Sequence, residues 1–230
     1  MKNISIFLLS LFMLSCENKP FNKLDKTKPF TGKITYNISY PYNQQDPFLN
    51  LYPTKLVAEI NDTIIHSIIN DIGLNINTYF HLQKHEIDQY VEIAFPYYKL
   101  HVHLTEKDIL QLNSKSPKYK FKSTNITDSI GPCKISKTIA TNLSSNKTIN
   151  LWTTDDIKLI ESNFFGPFGS LNKTLLQFEA SNLGFKTEIR ATKIEPCEID
   201  LKKTLIQSEF QTISLDSLEL IIANIFGLEE

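Results

Sequence analysis

Arginine is almost missing from this chain: of its 24 basic residues only Arg190 carries a guanidinium. Bidentate recognition of phosphate and carboxylate leans on the planar guanidinium fork, which lysine lacks, so phosphate-clamping functions find no support. Glycine is scarce too, with 7 in 230 residues, and none falls into GxGxxG or GxxxxGK(S/T). Those loops let backbone N–H groups approach a phosphate, and without them nucleotide binding is not indicated. Net charge is also lacking, since 25 acidic residues balance the basic ones. Such a chain has no long-range field to gather nucleic acid or an anionic surface. No GxSxG, HExxH or CxxC occurs, so the chain reads as a non-enzyme that needs no metal and no cofactor.

Long apolar runs are confined to the beginning. Lys2 precedes an apolar stretch of 11 residues at 4–14, and Ser15 then offers the small residue that signal processing requires. A helix that crosses a bilayer takes about 20 residues, so the stretch reads as an export signal and not as a span. Met13-Leu14-Ser15-Cys16 resembles the bacterial lipobox, departing from it only at Met13, where Leu, Val or Ile is usual. The resemblance implies that Cys16 is acylated with fatty acid such as palmitate and becomes the new N-terminus. Acyl chains contribute about 0.8 kcal/mol per buried CH₂, and more than one makes a firm membrane anchor. Glu17-Asn18-Lys19 resembles neither a retention signal for the inner membrane nor a surface-export signal. The expected location is the outer membrane, facing the periplasm.

Polar, lysine-rich and proline-bounded, residues 16–29 read as a lipidated tether between a signal peptide at 1–15 and a folded domain at 30–230. A hydrophobic fraction of 41% suits one substantial core. With Cys16 assigned to lipid, Cys133 and Cys197 remain. An oxidising compartment would let them persist as a disulfide, and two separate buried thiols would serve as small hydrophobes. Spacing alone leaves both readings open.

From Gly32 onward Ile34, Tyr36, Ile38 and Tyr40 alternate with polar residues, the period-2 pattern of a strand with one buried face. Further β-rich runs are expected at 55–60, 63–69, 74–81, 87–93, 97–104, 118–122, 134–142, 146–153, 174–180 and 185–194, with Asn61-Asp62 as a hairpin turn. Two helices break the series. Residues 105–112 open on Thr105 followed by acidic residues, and residues 214–226 open on Ser214 and carry Leu215, Leu218, Ile222, Ile225 and Phe226 mostly on one face. This is a mainly β domain, an antiparallel meander with a few helices.

Candidate chemistry is sparse. His81 and His85 are spaced i, i+4, and His101 and His103 are spaced i, i+2. A strand would put the second pair on one face. A zinc site needs three or four ligands and supporting partners, so strand-face imidazoles without metal are the expectation. Asp155-Asp156 reads as a solvated turn or a helix start. Asp62-Thr63-Ile64, Asp128-Ser129-Ile130 and Asp216-Ser217-Leu218 resemble short O-glycosylation acceptors of exported bacterial proteins.

Taken together, the strand opening at Gly32-Lys33-Ile34-Thr35-Tyr36-Asn37-Ile38, the run from Ile130-Gly131-Pro132-Cys133 into residues 148–157, and Phe165-Gly166-Pro167-Phe168 resemble the LolA-like lipoprotein superfamily and its GLPGLI-type relatives. That resemblance implies a strongly curved antiparallel sheet, a half-barrel, with helices covering its concave face. It also implies room for an acyl chain, a lipoprotein or another apolar ligand, and no catalytic residues. A core filled by its own side chains would instead suit a scaffold lipoprotein of an envelope complex. Such a scaffold would meet partners through a sheet edge or the loop at 164–168.

Overall fold

Ile34, Tyr36 and Ile38 are buried while their neighbours are not, so strand β1 (Gly32–Ser39) turns one face inward as its alternation demands. A computed structural model describes residues 24–45, 49–159, 163–182, 185–201 and 209–226. The strands that follow are β2 (Lys55–Ile60), β3 (Ile64–Asp71), β4 (Leu74–His81), β5 (Glu86–Ile93) and β6 (Tyr98–Leu104). After helix α1 (Glu106–Lys115) come β7 (Tyr119–Ile130), β8 (Cys133–Asn142), β9 (Thr148–Thr154), β10 (Thr174–Asn182) and β11 (Phe185–Pro196). A two-residue strand, β12 (Gln211–Thr212), and helix α2 (Leu215–Phe226) complete the order.

All twelve strands form one open sheet in the order β12-β6-β5-β4-β3-β2-β1-β11-β10-β9-β8-β7. Two meanders therefore flank β1. One runs outward from β2 to β6, and the other returns from β7 to β11 to pair with β1 on its free side. Neighbours are antiparallel except β12, which joins β6 in parallel. Where β1 meets β11, a Cβ on Gly32 would come within 2.3 Å of the Glu195 carbonyl oxygen at a φ of +154°, so only glycine fits.

The inward face carries three apolar clusters. Leu218 and Ile222 of α2 pack on Leu74, Ile76, Val91, Ile93, Leu100 and Val102 of β4 to β6. Ser214 caps that helix, its Oγ accepting from the Ser217 backbone N–H at 3.1 Å. A second cluster gathers Ile34, Ala58, Ile60, Cys133, Leu176 and Ile194, and a third sets Phe168 and Leu171 on Ala140 and Leu151. At α1, Thr105 and Asp108 form a reciprocal capping box, the N-terminal signal read in the sequence.

The chain ahead of Phe30 packs on the domain. Leu24 packs against the second cluster, Lys26 pairs with Asp156, and the Phe30 backbone N–H donates to the Lys158 carbonyl at 3.0 Å. Cys16 and the signal stretch lie outside the described residues.

Candidate functional site on the outer face of the sheet

Register dictates what stands on the face away from α2. Lys33, Glu59, His66, Tyr79, Asp88 and His103 are successive cross-strand partners from β1 to β6, which puts them in one row. The next row contains Asn77, Tyr90 and His101, and the one beyond it Asn70, Asn75, Glu92 and Lys99. A face expected to be hydrated thus holds histidines, tyrosines and carboxylates side by side.

Asp88 is the centre of this array. Its Oδ1 accepts from His101 Nε2 at 2.8 Å and from His103 Nδ1 at 3.0 Å, while Oδ2 accepts from His81 Nε2 at 3.0 Å. Burial pushes the carboxyl up, but the three imidazole hydrogen bonds outweigh it and hold Asp88 well below the usual carboxylate range. The bonds also fix which ring nitrogens carry hydrogen, leaving His101 Nδ1 facing the Thr212 hydroxyl at 3.3 Å. No group of three or more His, Cys, Asp or Glu among the described residues could hold a metal ion. Geometry gives the reason: His81 lies opposite Glu86 and His101 opposite Tyr90. Their backbones are therefore separated by roughly 13 Å along the strands and about 10 Å across them. The imidazoles surround the carboxylate from opposite sides instead of converging on a common point.

Rings extend the network toward β1. His66 stacks on Tyr79 with centroids 4.2 Å apart and planes 7° from parallel, and its Nε2 meets Asn77 Oδ1 at 2.9 Å. His66 Nδ1 stands 3.6 Å from Glu59, whose other oxygen accepts from Lys33 at 2.6 Å. Tyr90 stacks on His101 at 4.5 Å and meets Phe210 edge-on at 5.3 Å. His66, Tyr79 and Tyr90 are all buried, which sheet residues on a bare outer face are not. Burial, with the Asp88 charge adding to it, pushes the Tyr90 phenol up.

Beside Tyr90 a cavity of about 200 Å³ opens, lined by Ile68, Ile69, Asn70, Asn75, Asn77, Tyr90, Glu92 and Phe210. Its lining is mainly polar. A second hollow, near Phe30 and Leu82, is too narrow to hold a water molecule.

Several residues singled out in the sequence lie elsewhere. Cys133 and Cys197 stand as free thiols in this structure. Cys133 is fully buried, and burial, with the Asp156 charge adding to it, pushes its thiol up to about 11. His81 and His85 part company, since His85 stands in the turn after β4 with its ring 5.3 Å from that of Phe164. Phe164 also meets Phe80 at 6.3 Å and Phe168 is buried, while Phe165 between them is 39% exposed. Asp155 pairs with Lys173 at 2.6 Å, and Asp156 accepts from the Lys134 backbone N–H at 2.9 Å. Of the three glycosylation-like hydroxyls, Ser129 and Ser217 are exposed, and Thr63 is half-buried with its hydroxyl on Asn61 Oδ1 at 3.1 Å.

Asp88, the Glu59–His66 pair and the asparagine cleft escaped the sequence reading. Their one sequence signal is the polar alternate positions 75/77 and 88/90/92, which acquire meaning only once β3, β4, β5 and β6 are set in register.

No known family profile matches the chain, and no curated protein matches it. A solved structure of PNGF-II in a C2 space group overlaps 86% of this chain and 33% of that one, at 14% identity and a TM-score of 0.46. The chain thus spans about a third of that protein's length.

Proposed function

We propose that this protein is a non-enzymatic envelope lipoprotein, anchored through an acylated Cys16 in the outer membrane and facing the periplasm, that works as an interaction scaffold with a closed core. One observation carries the choice of scaffold over carrier: the inward face of the sheet is filled by the protein's own side chains. Leu218, Val91 and Leu176 are fully buried there, and Ile222 is 1% exposed. The cavity beside Tyr90 is polar and lies on the other face. An acyl carrier needs an apolar void.

The LolA-like reading of the architecture, a curved half-barrel with helices on its concave side, draws support from chain length. β6 and β7 lie ten strand positions apart in the sheet, a span of about 48 Å if the sheet were flat. Residues 105–118 join them, ten of which form α1. A ten-residue helix covers about 15 Å and four extended residues about 14 Å more, so the connection reaches only if the sheet curls.

Apolar surface for a partner is greatest at the hairpin tips, where exposure is well above the 39% of Phe165 in the 164–168 loop. Ile72, between β3 and β4, and Phe95, between β5 and β6, are each 87% exposed. Their turns adjoin, because the Ala94 backbone N–H donates to the Gly73 carbonyl at 2.9 Å. Paired exposed apolar tips of this kind mark a contact surface.

To test the closed core, residues 17–230 are purified without the lipid, extracted with organic solvent and assayed by mass spectrometry, alongside binding of a fluorescent fatty acid. A clean extract and no probe binding support the scaffold. Stoichiometric acyl lipid would overturn it in favour of a carrier.

A further inference from the structure

We infer that the outer-face cleft between β3, β4 and β5 binds a small organic cation through its primary ammonium group. The inference does not depend on whether the core is closed or Cys16 is acylated, because the cleft lies on the opposite face of the sheet.

The chemistry follows from which groups lack partners. Asn70 pairs with Asn75, and Asn75 with Glu92, across three adjacent strands, so their side chains share one face. Asn75 Oδ1 is buried without a hydrogen-bond donor, a costly state that turning the amide over, so that its oxygen meets a ligand N–H in the cleft, would relieve. Glu92 has no ion pair or side-chain hydrogen bond among the described residues. Lys99, its direct cross-strand neighbour, is held instead by Glu209 at 2.7 Å. Asn77 Oδ1 already serves His66. The cleft is therefore left with an unused acceptor and an unneutralised carboxylate.

Its wall suits a cation as well. Tyr90 and Phe210 stand perpendicular at 5.3 Å and close one side. A primary ammonium offers three donors, enough for Asn75, for Glu92 and for one water. An anion would meet Glu92 with no free cation lining the cleft, and an apolar ligand would leave the amides unsatisfied. At about 200 Å³ the space falls below the roughly 300–1,000 Å³ of drug-sized sites, which limits the occupant to a short alkylamine or the end of a lysine side chain.

The test uses the full-length protein purified from membranes in detergent. Calorimetric titration with n-butylamine near neutral pH is compared with n-butanol, which has the same apolar stem and no charge. Saturable binding of the amine with a Kd of about 1 mM or tighter, and none of the alcohol, is the expected result. Glu92→Gln should weaken it about tenfold or more, since a hydrogen bond to a charged group is lost. Asn75→Leu should weaken it as well, and an unchanged thermal midpoint in either variant shows that the fold persists. A second titration with Nα-acetyl-lysine amide separates the sources: binding as tight as butylamine points to a lysine on a protein, and weaker binding to a free amine. Equal heats from amine and alcohol, or an affinity indifferent to Glu92→Gln, would overturn the assignment.

Discussion

His101 Nε2 lies 2.8 Å from Asp88 Oδ1, and the same oxygen takes His103 Nδ1 at 3.0 Å. With His81 on the other oxygen, one carboxylate joins three adjacent strands through side chains alone. Asp88→Asn preserves the shape but removes the charge and turns one acceptor into a donor facing an imidazole N–H. Hydrogen bonds to charged groups contribute about 1.5–3 kcal/mol each, less where solvent screens them, so a net loss of about 2–3 kcal/mol is expected. Urea unfolding at neutral pH measures it. A loss within about 0.5 kcal/mol would show the network to be incidental to stability.

The same carboxylate predicts how stability changes in acid. Its folded pKa is depressed, so its contribution is complete above the unfolded value of about 3.9 and is lost as pH falls through the lower folded value. The stability gap between wild type and Asp88→Asn should therefore be widest above about pH 5 and shrink toward pH 2. Urea midpoints measured across that range decide the matter, and a gap that stays constant in strong acid would contradict the pairing.

Thiol chemistry separates the two cysteines. Cys133 is fully buried, and its thiol is pushed up to about 11, chiefly by burial, which leaves almost no thiolate at neutral pH. Cys197 is only half-buried. Native alkylation of the chain from residue 17 should label Cys197 and spare Cys133, with both labelled in denaturant. Protection of both cysteines until a reductant is added would instead indicate a disulfide.

Most of the secondary structure was legible because burial and period coincide. Leu74 and Ile76 alternate with Asn75 and Asn77, and residues 74–81 and 55–60 form β4 and β2 at the expected bounds. β7 runs to Ile130, well beyond the expected 118–122, and that extent was not legible because its latter part, STNITDSI, has no apolar alternation. That part is an exposed edge whose order comes from pairing with β8. β12 was missed altogether, since two residues lying parallel to β6 have no local pattern to read. The Asp88 centre failed for a related reason. The spacing of His101 and His103 put both on one face, but nothing local says that Asp88 stands opposite His103 or that His81 reaches it from β4. The pairing of β1 with β11, far apart in sequence, is likewise a property of the whole chain.

Helix α2 offers a direct probe of the closed core. Leu218 is fully buried between the helix and β4 to β6. Truncating a buried leucine to alanine typically costs about 2–5 kcal/mol, part of it from the cavity left behind. Leu218→Ala should lower stability by about 3 kcal/mol, while wild type and variant alike should exclude a fluorescent fatty acid, because the hole left by three carbons is far smaller than an acyl chain. Saturable fatty-acid binding by the wild type would mean that the apolar face was never sealed.

The hairpin tips should behave in the opposite way. Ile72 and Phe95 make little contact with the rest of the protein, each being 87% exposed, so replacing both with serine removes almost no buried area. Stability should change by no more than about 0.5 kcal/mol, the usual range for surface positions without special contacts. If the tips dock a partner, in-cell crosslinking from a photoreactive residue at Tyr97 should yield a discrete adduct that the Ile72→Ser, Phe95→Ser double variant loses at unchanged expression. Tyr97 is itself 65% exposed in the same turn as Phe95, which puts the crosslinker on the surface without disturbing the core. An adduct that survives the double substitution would move the contact surface elsewhere, and the exposed edge of β7 would be the next face to probe.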